Sequence, residues 1–127
     1  GVSYSVYTTQ QVDLSLELVD RLLPGQPLFL FLNVSALHQP NCIFTPGATA
    51  DSKETMSAAL AYVDGHLGRL LAALRARRPL LAILTPDHGT AYGEDGYRGH
   101  RLAHEVVWTV PYAELVLDRV TGASATA

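Results

Sequence analysis

Two short apolar runs, each closed off by turn residues, bracket one long amphipathic stretch, and that order limits what the chain can fold into. Leu28-Phe29-Leu30-Phe31-Leu32-Asn33-Val34 opens after Pro27, and Leu80-Leu81-Ala82-Ile83-Leu84-Thr85 opens after Pro79. Both are nearly continuous in apolar residues, the pattern of a strand covered on both faces. Between them Met56, Leu60, Val63, Leu67, Leu70, Leu71 and Leu74 fall on one helical stripe. Asp51 or Ser52 is placed to cap that helix, with Glu54 or Thr55 near its first turn, and Pro79 ends it. Strand, helix, strand at this spacing is a βαβ unit, which calls for parallel strands and a right-handed crossover. The expected fold class is therefore α/β, a mostly parallel sheet flanked by helices.

The remaining segments fit around that unit. Thr8 or Thr9 can cap a helix running to about Leu23, with Val12, Leu16, Val19 and Leu23 at helical spacing and Pro24-Gly25 as the stop. Residues 38–50, with Pro40, Asn41, Pro46 and Gly47, read as a loop, and so do the glycine-rich residues 89–99. Val106-Val107-Trp108-Thr109-Val110 is a third strand candidate, and residues 114–120 read as a further strand or a short helix. The length of 127 residues points to one domain over residues 1–120, followed by a flexible tail at 121–127. Such a chain can bury roughly two-thirds of its unfolded surface.

Composition removes several function classes. Net charge is −3, so no broad basic field attracts nucleic acid or anionic lipid. Arg75, Arg77 and Arg78 read as the basic last turn of a helix. The longest apolar run, residues 28–37, is interrupted by Asn33 and Ser35 and is far too short to span a bilayer. The single Cys42 has no partner for an internal disulfide and no base beside it in sequence. The chain begins Gly-Val-Ser rather than Met, so an upstream portion is expected, and localisation stays open between cytoplasm and periplasm.

The polar residues concentrate at the ends of the two apolar runs. In an open α/β sheet ligands bind beyond the carboxyl ends of the strands. Asp87-His88-Gly89 lies just past one run and His38 just past the other, so parallel strands would bring all three polar groups to one edge. A carboxylate and an imidazole suit zinc foremost, with manganese or another divalent ion as alternatives. His100 and His104 stand four apart and would face the same way on a helical turn, although Gly96 and Gly99 oppose a regular helix there. Arg98 and Arg101 are either solvated or placed to clamp an oxyanion. His66, Tyr62 and Asp64, inside the long helix, read as structural.

Thr85-Pro86-Asp87-His88-Gly89, then Gly93-Glu94-Asp95-Gly96-x-x-x-His100, then Val110-Pro111, resembles the C-terminal half of the alkaline phosphatase superfamily, in particular its sulfatase-like and phosphoethanolamine-transferase-like branches. The His38-Gln39-Pro40 loop after an apolar run, about fifty residues upstream, is similar to the family's His-x-Pro loop. The resemblance covers roughly residues 28–117 and implies a partial alkaline-phosphatase-like fold. It implies Asp87 and His88 as metal ligands, for zinc, manganese or calcium, and His38 and His100 as catalytic groups at the transferring group. It implies Arg101 and His104 as substrate-binding residues, and a small phosphate or sulfate ester as substrate. His104-Glu105 departs from the Tyr-Glu often found there. The family's nucleophile comes from its N-terminal half, which has no counterpart here, so the upstream half of the same enzyme is the expected partner. A binding or interaction module that keeps the fold without catalysis is the alternative.

Overall fold

The computed structural model describes residues 4–120, with side chains from Tyr7 onward. The expected tail at 121–127 lies outside the described residues. The chain divides into two compact units, one made of Gly1–Arg78 with Arg119–Ala127, the other of Pro79–Asp118.

The first unit is built on two helices, α1 (Tyr4–Arg21) and α2 (Lys53–Arg77). Their stripes meet in a core of Val12, Val19 and Leu70, each no more than 3% exposed, with Leu16, Ala73 and Leu74 packed around it. Burying a side chain of this size contributes about 1.5–3 kcal/mol. The helix α1 starts before the two threonines expected to cap it, because both hydroxyls have tertiary partners. Thr8 Oγ1 accepts from the Ala36 amide at 2.9 Å, and Thr9 Oγ1 bonds the Tyr62 hydroxyl at 2.7 Å. Gln11 adds a tie, donating from Nε2 to the Asn33 carbonyl at 2.6 Å and accepting from the Ser35 amide at 3.3 Å.

The start of α2 is capped as the sequence predicts. The Ser52 side chain accepts from the Thr55 amide at 3.3 Å, and Thr55 Oγ1 accepts from the Ser52 amide at 2.8 Å, a reciprocal capping box. Thr55 also donates to Asn41 Oδ1 at 2.6 Å, and Asp51 Oδ1 accepts from the amides of Asn41 and Cys42 at 2.8 Å each. The fully buried Asn41 is thereby satisfied, as a buried amide must be. At the other end Arg78 is extended, as a residue before proline prefers.

The second unit holds the four strands found among the described residues. β1 (Leu80–Leu84) pairs antiparallel with β4 (Ala113–Leu117), in register from Leu80 opposite Leu117 to Leu84 opposite Ala113. β2 (Ala91–Tyr92) and β3 (Arg98–Gly99) form a second, very short antiparallel pair around a 3-10 turn at Glu94–Gly96. A one-turn helix, α3 (Glu105–Trp108), precedes β4.

The mixed α/β class stands, and the mostly parallel sheet does not: both strand pairs are antiparallel. Residues 28–34 are extended but belong to no sheet among the described residues. They behave as a half-covered strand would. Leu28, Leu30 and Leu32 pack on the helical core, while Phe29 and Phe31 are 90% and 78% exposed. β1 is likewise covered on one face only, with Leu81 and Ile83 more than half exposed. Its ladder partner comes from the nearby residues 113–117, so no crossover is needed to satisfy its backbone. Of residues 106–110, expected as a strand from their valines, 106–108 lie instead in α3 and 109–110 follow it without regular structure. The His104 side chain accepts from the Val106 amide at the helix start, and that local cap outweighs β-propensity.

Candidate functional site

The strand β1 ends in Leu84, and the chain then passes through Thr85-Pro86 into Asp87-His88-Gly89. Thr85 Oγ1 donates to the Pro111 carbonyl at 3.1 Å, holding the exit of β1 to the entry of β4. Asp87 Oδ1 accepts from the His88 amide at 3.1 Å. The His88 imidazole sits 2.9 Å from the Gly89 carbonyl through Nδ1. A carbonyl only accepts, so Nδ1 donates here, and in a neutral ring Nε2 is then the nitrogen with the lone pair. That lone-pair nitrogen stands 3.9 Å from Asp87 Oδ1. Two donors about 2 Å from one ion are about 3.3 Å apart at a tetrahedral angle and no more than about 4 Å apart in a line, so this separation is the outer limit for a shared ion. A ligating imidazole ordinarily has its other nitrogen pinned by an acceptor, which the Gly89 carbonyl supplies here.

Gly89 is fixed by contact. Its amide donates to the Val107 carbonyl at 2.8 Å. A Cβ built on it would lie 2.0 Å from the Val106 carbonyl oxygen, so the residue has to be glycine for α3 to dock against this loop. His100 stacks on His88, ring centroids 4.3 Å apart and planes 23° from parallel. Asp87, His88 and His100 are thus gathered within the second unit.

His104 faces elsewhere. The bends at residues 100–102 replace the helical turn that would have aligned it with His100. Its Nε2 lies 3.1 Å from Asp95 Oδ2, and its Nδ1 accepts from the Val106 amide at 3.2 Å. Tyr97 packs against its ring at 5.5 Å. Asp95 adopts a left-handed backbone, φ +48°, which aspartate tolerates better than most residues. No local pattern announces this pairing: Asp95 and His104 are nine residues apart on irregular chain. Arg101 and Arg98 are both exposed.

His38 belongs to the first unit. It follows a 3-10 turn at Ser35–Leu37, is exposed, and donates from Nδ1 to the Gln39 carbonyl at 2.6 Å. The expectation that it would join Asp87 rested on two parallel strands, and residues 28–34 make no such pairing. Within α2, Tyr62 packs between Phe44 and His66 in tilted contacts at centroid distances of 5.0 and 4.6 Å, a packing role for both polar rings.

Half-burial, followed by the neighbouring Asp51 carboxylate, pushes the Cys42 thiol above its ordinary range, which disfavours a nucleophilic thiolate. Among the described residues no three His, Cys, Asp or Glu side chains are gathered closely enough to hold an ion. Compared with protein-family models, with curated proteins and with solved structures, the chain matches none.

Proposed function

We propose that this chain carries metal-binding and oxyanion-facing residues of a hydrolase or transferase acting on phosphate or sulfate esters. The observation that supports it most is the donor pair. Asp87 Oδ1 and His88 Nε2 are 3.9 Å apart, with the second imidazole nitrogen pinned at 2.9 Å. The order Asp-His-Gly, Gly-Glu-Asp-Gly, His adds the resemblance to the sulfatase-like enzymes.

In this reading Asp87 and His88 hold a divalent ion, zinc foremost, with remaining ligands from outside the pair. When bound, such an ion neutralises charge on an ester's oxygens and lowers the pKa of a coordinated oxygen. His100, stacked on His88, stands beside the donor pair, where it can donate a hydrogen bond to a transferring group or protonate a leaving oxygen. Arg101, one residue on and exposed, has the planar fork that binds phosphate or sulfate oxygens in pairs. The attacking atom is not assigned.

Calorimetric titration with Zn²⁺, Mn²⁺ and Ca²⁺ tests the proposal. Asp87→Ala is expected to weaken binding of the preferred ion at least about tenfold, since it removes one of the two donors at a side chain that is 87% exposed. Equal binding by wild type and variant would overturn the metal assignment.

A further inference from the structure

We infer that His104 is a positioning residue that fixes the orientation of His88, acting through α3 and Gly89 rather than by touching substrate. The inference rests on the metal reading for its purpose and on geometry for its content.

The contacts run without a gap inside the second unit. Asp95 Oδ2 is 3.1 Å from His104 Nε2, and His104 Nδ1 is 3.2 Å from the Val106 amide. The two bonds favour the same tautomer. Nδ1 accepts the amide's hydrogen, so it must be bare, and the proton of a neutral imidazole must then sit on Nε2. The Asp95 carboxylate, an acceptor, selects that tautomer. With α3 capped, Val106 and Val107 turn their carbonyls toward Gly89. One stands where its Cβ would be, and the other accepts its amide hydrogen at 2.8 Å. Gly89 in turn offers its carbonyl to His88 Nδ1 at 2.9 Å, which leaves His88 Nε2 as the atom facing Asp87. The His104 side chain is only 16% exposed, while Asp95 is 83% exposed. An ion pair that open contributes little to stability, so choosing a tautomer is the more substantial thing the carboxylate does. Both ring nitrogens of His104 are spent in this way, which leaves neither for a substrate oxygen.

Imidazole tautomers are read directly by long-range proton–nitrogen NMR on the full chain without metal, in mildly alkaline solution where imidazoles are neutral. The wild type is expected to show His88 protonated on Nδ1 and the Gly89 amide protected from exchange. His104→Ala should leave His88 as a mixture of tautomers, speed Gly89 exchange at least tenfold, and weaken zinc binding by about 10–100-fold, the usual loss for a residue that orients a ligand. His104→Asn, whose side-chain oxygen can accept from the Val106 amide, should restore all three to within a few-fold of wild type. Asp95→Ala leaves the imidazole and its Val106 bond in place and removes one of the two contacts that favour its tautomer, so it gives an intermediate effect even if His104→Ala fails to fold. A single His88 tautomer with an unchanged Gly89 amide in a folded His104→Ala chain, or in Asp95→Ala, would overturn the inference. Failure of the metal reading looks different: His88 would respond to His104 as described, while wild type and Asp87→Ala took up zinc alike.

Discussion

At Gly89 the smallest side chain in the repertoire decides whether a loop and a helix can meet. Ala at this position would put a methyl group 2.0 Å from the Val106 carbonyl oxygen and 3.1 Å from its carbon, both main-chain atoms that cannot swing aside. Either the Asp87-His88 loop or α3 must shift, at a cost of about 1–3 kcal/mol, the usual range for overpacking. Gly89→Ala is therefore expected to lower the denaturant midpoint of the second unit and to shift the His88 and His100 ring resonances as their 4.3 Å stack is disturbed. Gly65→Ala serves as the control, because nothing lies within 4 Å of a Cβ there. An Ala at 89 that unfolds like the wild type with unmoved ring signals would remove the close approach. The residues of the candidate site were unevenly legible for a related reason. Asp87-His88 stood out because an apolar run ended on it, which is a local signal. The partner of His104 did not, because the contact with Asp95 depends on one left-handed residue and several bends that no periodicity announces.

The helix α2 was the element best read from sequence, since its signals are local: Ser52 and Thr55 satisfy each other's amides within one turn. Glu54, in that turn, gives the cap a pH dependence. The Ser52 side chain, then its own backbone amide, holds the Glu54 carboxyl below its ordinary 4.5. A carboxyl lowered in the folded state adds stability that is present above its unfolded pKa and is lost as pH falls through the folded one. The α2 N-terminus should thus loosen on acidification below about pH 4.5, and Glu54→Gln should flatten that part of the stability–pH curve. Amide exchange at Thr55 and Met56, followed from neutral to acid pH, measures it; an acid limb identical in Glu54→Gln would refute it. Elements whose signals are not local were read less well. Thr8 and Thr9 have the chemistry of caps, yet their hydroxyls bond Ala36 and Tyr62, residues far along the chain. The valines at 106 and 107 have the propensity of a strand, yet an imidazole two residues upstream starts a helix. Residues 28–34 carry apolar side chains on both faces, and only the leucine face finds a core among the described residues.

The two units differ in what holds them, and that difference should be visible in how the chain opens. Val12, Val19, Ala36, Ala59, Val63 and Leu70 are buried apolar residues of the first unit, while in the second Ala91 alone is buried among the described apolar residues. Apolar burial is the main favourable term in folding, and regions with few buried apolar contacts open at lower free energy than the core. The second unit relies on backbone ladders instead: five paired positions between β1 and β4 and two between β2 and β3. Ladder bonds whose strands expose Leu81, Ile83 and Val116 to water contribute only about 0.5–1.5 kcal/mol each. Amides of β1 and β4 are therefore expected to exchange at least tenfold faster than those of Val12, Val19 and Leu70, a difference of about 1.4 kcal/mol or more in opening free energy. Leu70→Ala, which removes a large side chain 3% exposed, should lower protection across α1 and α2 by about 2–5 kcal/mol and leave the β1–β4 ladder close to its starting value. Native-state hydrogen exchange at increasing denaturant resolves both. If every amide in the two units converged on one opening free energy, and Leu70→Ala lowered them all together, the chain would fold as a single cooperative body and the Asp87–His88 pair would share the stability of the helical core.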